Sequence, residues 1–307
     1  HITNWVHVPT WIEPKIEMRC NKCLDGDWLA DHDDPALWEL VEDIPDAELW
    51  GLHYRQKLKL INYIREQTRR RWVEDRVGLA NVVGGGALLD PSILTIGFAR
   101  RFATYKRADL IFHDLERLKR LLNDPWRPLQ IIFAGKAHPA DDPGKQMLQR
   151  IFNFARDPDL GGRIAFAEDY GEQLAQYLVH GVDVWLNNPR PPLEACGTSG
   201  MKAALNGTLH LSLLDGWWPE AYNGQNGWAF GGDENASDAQ DAAALYSLLE
   251  KETVPLYYTV NEDGIPLDWV KKMKASMKSV GPNFSARRMV KQYSQKFYDP
   301  ALKAAES

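Results

Sequence analysis

Cysteine is scarce in this sequence of 307 residues, which contains only Cys20, Cys23 and Cys196. An odd number of thiols cannot pair completely, and the opening HITNWVHVPTW lacks the charged and apolar regions of a secretory leader. Both features favour a reducing compartment, so the cytoplasm is the expected location. Cys20 and Cys23 form a single CxxC, which is half of a zinc site or a redox motif. No second CxxC follows, so ordinary thiols are favoured and no metal site is predicted.

Long apolar runs and an excess of positive charge are also missing. No segment approaches the roughly 18 apolar residues expected of a membrane span. The 36 basic and 42 acidic residues give a formal net charge of −6, which argues against a nucleic-acid surface and against binding to anionic membranes. We therefore expect neither a membrane nor a nucleic acid as a partner. Internal repeats and low-complexity segments are absent as well.

What the sequence does contain is an alternation of short apolar strands with helices. Strands are predicted at 92–99, 129–135, 163–168, 182–187 and 208–215, and helices between them at 106–122, 143–155, 172–181 and about 199–206. This alternation is typical of βαβ units and predicts an α/β fold with a doubly wound parallel sheet. Flanking segments are predicted as an amphipathic helix at 50–75, a flexible connector at 78–91, and closing helices at 238–258, 266–280 and 286–302.

The unusual residues of the sequence follow the carboxyl ends of these strands. The segments concerned are ARRFATYKR at 99–107, GKAHP at 135–139, EDYGE at 168–172 and NNPRPPLEACGTSGMK at 187–202. Ligands of an open parallel sheet bind in the crevice beyond these strand ends. The four segments bring arginines, lysines, carboxylates, a tyrosine and a glycine-rich helix start to one edge, where we predict a ligand site.

The GTSG segment at 197–200 opens a predicted helix. Free amides and the helix dipole suit a phosphate group there, although Thr198 or Ser199 could equally be an ordinary N-cap. Lys202 lies within the next turn, where a positive charge is disfavoured and a neutral, nucleophilic amine is useful.

The basic residues after the first strand also have two interpretations. Arg100, Arg101 and Lys106 are either an exposed basic turn or clamps for a second phosphate. The residues alone leave this question open.

The segment from Glu194 to Gly207, EACGTSGMKAALNG, matches the motif E-A-x-G-T-x-x-M-K-x-x-L-N-G. On this motif the chain resembles the α-glucan (glycogen, starch or maltodextrin) phosphorylases, retaining glycosyltransferases of family 35 and of the GT-B fold. The resemblance implies that Lys202 carries pyridoxal 5′-phosphate. A second family motif, basic-Arg-x-x-x-Tyr-Lys-Arg, matches residues 100–107, and a third, G-K-A, matches residues 135–137.

The same resemblance implies roles for individual residues. The catalytic residues it implies are Lys202, Arg101 and Lys106, the last two as clamps for the substrate phosphate. The cofactor-binding residues it implies are Lys202, Arg100, Thr198, Ser199, Gly200, Tyr170, Gly135 and Lys136. Those implied for the glucosyl unit are Glu194, Ala195, Cys196, Gly197, Tyr105 and, from a T-N-G-[VI]-x-x-x-x-W motif at the start of the chain, Asn4.

The activity implied by the resemblance is removal of a terminal glucosyl unit from an α-1,4-glucan or maltodextrin by inorganic phosphate, giving glucose 1-phosphate. The resemblance runs from about residue 1 to 300 and covers only the later half of the family's chain, and the sequence begins with His1 rather than Met. An N-terminal lobe is therefore expected to be missing, and the isolated chain is expected to be inactive. Residues 1–90 would form a linker segment, 91–260 the Rossmann-like lobe and 261–307 the closing helices.

Four positions depart from the family pattern. Trp5 occupies the position where the family pattern has a glycine in a tight turn. A tryptophan can replace that glycine only if the backbone there avoids positive φ. Arg100 replaces a lysine and Cys196 a serine. Gly171 replaces an arginine on the cofactor phosphate, so one cofactor contact is expected to be missing or supplied elsewhere.

Two rival functions remain. A GT-B transferase that uses a nucleotide sugar, similar to glycogen or starch synthase, has a comparable E-x-x-G donor loop but needs no reactive lysine. A non-catalytic glucan-binding fragment could use Trp217, Trp218 and Trp228 as stacking platforms, although burial is more typical of such residues. The sequence does not decide the preferred glucan chain length, the allosteric regulation or the oligomeric state. A homodimer is one of the oligomeric states left open.

Overall fold

The structure is a computed structural model that describes residues 1–17 and 28–305, so Cys20 and Cys23 lie outside the described part. Its strands form a sheet in which every pairing is parallel. They are β1 Leu94–Ala99, β2 Leu129–Ala134, β3 Ile164–Ala167, β4 Val184–Asn187, β5 Leu209–Ser212 and β6 Gly227–Ala229. The strand order β3-β2-β1-β4-β5-β6 is that of the Rossmann fold. The predicted doubly wound α/β fold is confirmed.

Helices flank this sheet. The α-helices with both ends in the described residues are α1 Val8–Trp11, α2 Pro35–Glu39, α3 Asp46–Glu74, α4 Leu79–Gly84, α5 Leu115–Leu122, α6 Asp142–Ala155, α7 Glu172–Gly181, α8 Thr198–Leu205, α9 Trp218–Ala221, α10 Asp238–Leu248, α11 Val254–Tyr258, α12 Leu267–Val280, α13 Ala286–Tyr293 and α14 Asp299–Ala305. None of the described helices is long and apolar enough to cross a membrane.

Alternate residues of the strands pack on opposite faces, as the period of two in a β-strand requires. In β2, Ile131 and Phe133 belong to the hydrophobic cluster that α5, α6, α10 and α12 share. Ile132 and Ala134 belong instead to the cluster formed with α3, α7 and α8. The strands are therefore buried on both faces, which explains why they are nearly continuous apolar runs in the sequence.

The prediction of one helix over residues 106–122 is wrong in its first half. Arg107 adopts a left-handed conformation with φ of 45°, and α5 begins only at Leu115, where the Asp114 side chain caps it. The buried guanidinium of Arg107 explains the break, because it donates to the carbonyl oxygens of Asn188 and Pro189 at 3.0 and 2.8 Å. These contacts tie the segment after β1 to the segment after β4.

Two other predictions differ from the structure. The predicted connector at 78–91 contains the short helix α4. The strand β6 has no counterpart in the prediction, because Gly227 precedes a tryptophan and an alanine in a segment of three residues without an alternating pattern. It pairs in parallel with β5 and extends the sheet by one strand.

Candidate functional site

The candidate site lies where β1 and β4 are neighbours in the sheet. The chain leaves these two strands toward opposite sides, and a crevice forms outside their carboxyl ends at such a switch point. The amide of Arg190 donates to the carbonyl oxygen of Tyr105 at 2.8 Å. The segments that follow β1 and β4 are therefore bonded together along this crevice.

A buried cluster of three charged side chains forms the floor of the crevice. Arg100 Nη1 donates to Glu194 Oε2 at 3.3 Å, and the ammonium of Lys106 bonds to the same oxygen. The amide of Glu194 donates to Asp215 Oδ2 at 2.9 Å, which fixes the loop. Burial lowers the pKa of Arg100, although the charge of Glu194 opposes this shift. Two cations share one carboxylate, so the cluster carries a net positive charge.

The start of α8 lies beside this cluster. Gly197 is its N-cap with φ of 86°, and no side chain caps the helix. Ser199 Oγ instead accepts hydrogen bonds from Arg100 Nη2 at 3.5 Å and Trp185 Nε1 at 3.3 Å. The amides of Thr198 and Ser199 bond to nothing in the described part of the chain. The N-cap interpretation of Thr198 and Ser199 is therefore wrong, and the helix start offers free donors.

Lys202 lies one turn beyond Ser199 on the same side of α8, as residues three apart in a helix do. Its ammonium is 3.6 Å from the centre of the Trp11 ring and makes no ion pair or hydrogen bond with the residues that the structure describes. Burial lowers the pKa of Lys202, while the charge of Glu172 opposes this shift. The amine thus packs on an aromatic face, and no carboxylate of the described residues forms an ion pair with it.

The imidazole of His210, a residue of β5, packs against α8 at Gly200. A Cβ atom on Gly200 would lie 2.5 Å from His210 Cε1 and 3.0 Å from Trp217 Nε1, so only glycine fits at this position. Burial, together with the positive charge of Arg100, lowers the pKa of His210 to about 3. The ring is neutral at physiological pH, which avoids a second cation beneath the helix start.

Several other residues from the sequence motifs flank the cluster. The Arg100 charge interacts with the hydroxyls of Tyr105 and Tyr170, and burial raises the pKa of Tyr170. Lys106 Nζ lies 4.7 Å from the centre of the Tyr105 ring. Both tyrosines therefore lie near the basic cluster.

Other predicted residues lie at the rim. Arg101, Lys136, Ala195 and Asn4 are exposed. Asn4 bonds to the side chain of Cys196, and burial raises the pKa of that thiol to about 11. The start of the chain is thereby placed against the Ala195–Cys196 segment.

The structure also locates Trp5, which departs from the family pattern, and the three tryptophans that a glucan-binding fragment would use for stacking. Trp5 is not among the described residues with positive φ, so its bulk causes no strain in the turn. Trp217, Trp218 and Trp228 are buried, so their faces are closed to a glucan. No group of three or more His, Cys, Asp or Glu in the described residues could hold a metal ion.

The sequence motif at the start of the chain includes Trp11 but gave it no role, and sequence reasoning did not single out Trp185 or His210 as residues that build the site. Trp185 and His210 lie inside buried strands, where a sequence pattern indicates only core packing. Trp11 reaches Lys202 from a segment 191 positions away in the numbering, and no local pattern reports such a contact.

Gly135 offers a test of how closely β2 approaches the site. It has φ of 151°, and a Cβ atom there would lie 2.0 Å from the carbonyl oxygen of Arg100. We expect Gly135→Ala to lower the free energy of unfolding by about 3 kcal/mol, because strain and overpacking add. Urea denaturation measures the change.

Gly171 provides the matched control for this substitution. A Cβ atom there would meet only the carbonyl oxygen of Asp169, at 3.7 Å, and the backbone is extended. Gly171→Ala should change stability by no more than about 1 kcal/mol. Equal stability of the two variants would show that the Gly135 backbone is not under this constraint.

The fold and crevice define a Rossmann-type α/β protein whose ligand site combines a basic cluster, an uncapped helix start and a lysine without an ion-pair partner in the part of the chain that the structure describes. A sequence model of the family described as carbohydrate phosphorylase matches residues 14–251. The chain belongs to the carbohydrate phosphorylase family, as the motif at Glu194–Gly207 indicated.

Individual relatives support this assignment. A glycogen phosphorylase of Aquifex aeolicus is 56% identical over 308 residues, which cover 99% of this chain and 44% of the relative. A maltodextrin phosphorylase of Thermococcus litoralis is 46% identical over 98% of this chain and 36% of its own length. A glycogen phosphorylase of Mycobacterium tuberculosis is 42% identical over 99% of this chain and 35% of its own length. The chain thus spans less than half the length of each of these relatives.

Proposed function

We propose that this chain is the cofactor- and phosphate-binding half of a cytoplasmic α-1,4-glucan phosphorylase. The reaction transfers a terminal glucosyl unit of glycogen or a maltodextrin to inorganic phosphate and releases glucose 1-phosphate. The observation that carries the proposal is the half-buried amine of Lys202, which has no carboxylate partner in residues 1–17 and 28–305 and lies one turn beyond an uncapped helix start. The family and the names of the relatives support the same activity.

Pyridoxal 5′-phosphate requires an amine for its aldehyde and a cradle of donors for its phosphate. Lys202 would hold the aldehyde carbon, and the free amides at the start of α8 would hold the phosphate with Arg100. The Nε–H of Arg100 is buried and has no acceptor among the described residues, so one donor remains for an anion. The donor set of the crevice therefore fits this cofactor.

The remaining cofactor contacts would complete the crevice. Tyr170, Gly135 and Lys136 come from the ends of β2 and β3, and Gly200 lets α8 approach His210. The family pattern has an arginine at position 171, and the glycine found here has no side chain to contact the cofactor phosphate. We assign that missing contact to Arg100, whose longer, forked side chain replaces the lysine of the pattern and reaches Ser199.

When bound, the cofactor supplies a phosphate group that relays a proton to the substrate phosphate. Arg101 and Lys106 would hold that substrate phosphate and stabilise the charge that develops on it. Lys106 is now bonded to Glu194, so an incoming phosphate must share or replace this contact.

The glucosyl unit would lie over the loop that follows β4. Glu194 and the amides of Ala195, Cys196 and Gly197 would bind its hydroxyls. Tyr105 and Asn4 would bind it from the two sides of the loop. This arrangement places the sugar between the basic cluster and the start of the chain.

Chemical labelling tests the proposal. The chain is incubated with pyridoxal 5′-phosphate and then reduced with borohydride, and peptides are analysed by mass spectrometry. We expect one pyridoxyl group, on the peptide that contains Lys202, because only this lysine among the described residues lies beside the free amides at the start of α8. Most other described lysines are exposed or ion-paired, and the half-buried Lys272 donates to the carbonyl oxygens of Gly224 and Gln225.

Two variants control this experiment. Lys202→Arg should abolish labelling and keep the fold, and Lys271→Arg, at an exposed position away from the crevice residues, should leave the Lys202 label in place. A label on another lysine, or no label, would contradict the proposal. The second result would favour a nucleotide-sugar transferase, which needs no reactive amine.

A further inference from the structure

The buried guanidinium of Arg107 holds an acidic helix start as well as the carbonyl oxygens of residues 188 and 189. Its Nη1 donates to Asp241 Oδ2 at 2.7 Å and to Asp238 Oδ1 at 2.9 Å. Both carboxylates belong to the first turn of α10. Arg107 and Asp241 are 3% and 1% exposed, so water does not compete for their bond. One side chain therefore joins α10 to the segment that follows β4.

The backbone on both sides of Lys106 is bonded to that same segment. The amide of Arg190 donates to the carbonyl oxygen of Tyr105 at 2.8 Å, and Asn188 Nδ2 donates to the carbonyl oxygen of Arg107 at 2.8 Å. Arg107 ends the short turn that carries Lys106 in the left-handed conformation, with φ of 45° and ψ of 48°. A residue other than glycine adopts this conformation at a cost in free energy that the surrounding contacts must offset. The position of Lys106 is therefore set by the contacts of its two neighbours.

The segment that Arg107 holds continues to Glu194, the carboxylate to which the Lys106 ammonium is bonded. Arg107 thus fixes the approach of the two segments that bring Lys106 and Glu194 together. Groups that bind a ligand must be held within about 0.5 Å of their working positions by supporting contacts. A change at Arg107 is therefore felt at the basic cluster, although the guanidinium points to α10.

We propose that Arg107 is the positioning residue of the substrate-phosphate site. Held from α10 by Asp241, it sets Lys106 against Glu194 at the spacing that an incoming phosphate requires. This role rests on the proposed phosphorylase function, in which Lys106 binds the substrate phosphate. Arg107 acts through Lys106, and a change at Asp241, outside the crevice, reaches the phosphate through Arg107.

Arg107→Lys tests this role, because lysine keeps the positive charge beside Asp241 but lacks the planar fork that bonds to carbonyl oxygens and carboxylates together. The 307-residue chain is first labelled with pyridoxal 5′-phosphate and reduced with borohydride, which fills the cofactor position. Inorganic phosphate is then titrated by calorimetry. We expect Arg107→Lys to bind phosphate about tenfold more weakly than the wild type and to take up the label on Lys202 to the same extent. Loss of the fold would reduce both, so unchanged labelling separates positioning from stability.

Arg117→Lys is the matched control. Arg117 makes a forked pair with Glu250, with distances of 2.9 and 2.7 Å, in the segment that directly follows α10. The same exchange is thus made at a comparable pairing that does not hold Lys106, and phosphate affinity should stay that of the wild type. Asp241→Asn is the second variant. It keeps the size of the side chain, removes the charge that holds Arg107 and should also weaken phosphate binding.

The outcomes separate this role from the proposed function. Wild-type phosphate affinity in labelled Arg107→Lys, or in Asp241→Asn if Arg107→Lys does not fold, would overturn the positioning role and leave the proposed function standing. An equal loss of affinity in Arg117→Lys would do the same. A wild-type chain that takes no label on Lys202 would overturn the proposed function and this role together. A labelled wild-type chain that binds no phosphate would overturn the assignment of Lys106, and the role of Arg107 with it.

Discussion

Phosphorolysis by the 307-residue chain alone should be slower than that of the longer Aquifex aeolicus relative by a factor on the order of 10³ or more. The physical reason is the open crevice. Asn4, Arg101 and Ala195 are exposed, so water surrounds the proposed positions of the glucosyl unit and of the substrate phosphate. Charge stabilisation weakens in water, and a substrate held from one side loses near-attack positioning.

The measurement is release of glucose 1-phosphate from maltooligosaccharide and phosphate, with the chain loaded with pyridoxal 5′-phosphate. Lys202→Ala serves as the control for activity that does not depend on the site. Turnover close to that of the longer relative, lost in the control, would show that the described residues form a sufficient site.

Glu194→Leu should lower the free energy of unfolding by about 3–5 kcal/mol, because Arg100 and Lys106 would then lie buried without a carboxylate. Both cations are at least nine-tenths buried, so water cannot replace the lost partner. Added inorganic phosphate should restore part of the stability, since an anion bound between the two cations takes the place of Glu194.

Urea denaturation in chloride buffer, with and without phosphate, measures both effects. Glu234→Leu is the matched control, because Glu234 is exposed, and its stability should be near that of the wild type. If Glu194→Leu is as stable as this control, or if phosphate stabilises it no more than the wild type, the two cations are not an anion site.

The sheet and the position of the crevice could be predicted because both depend on local patterns. Each predicted strand from 92–99 to 208–215 is an apolar run bounded by turn residues, and the observed strands β1 to β5 lie within these ranges. Once the strands are parallel, their carboxyl ends must share one edge. Arg100, Lys106, Glu194 and Ser199 were therefore predicted to meet without any knowledge of distances.

The contacts made within the crevice could not be predicted. The pairing of Glu194 with Lys106 depends on the path of a loop that begins after β4 and is held by Asp215. Arg107 breaks a helical pattern because its guanidinium finds carbonyl oxygens in the distant 188–189 segment.

The adjacency of β1 and β4 also governs how the molecule assembles. Arg100 and Glu194 are 94 positions apart in the sequence, and a long loop must close before they can meet, which is slow compared with the formation of helices. The crevice therefore exists only after the two halves of the sheet have joined. An anion that binds there stabilises the joined sheet as a unit, and a polypeptide released before β4 is synthesised has no complete site to offer it.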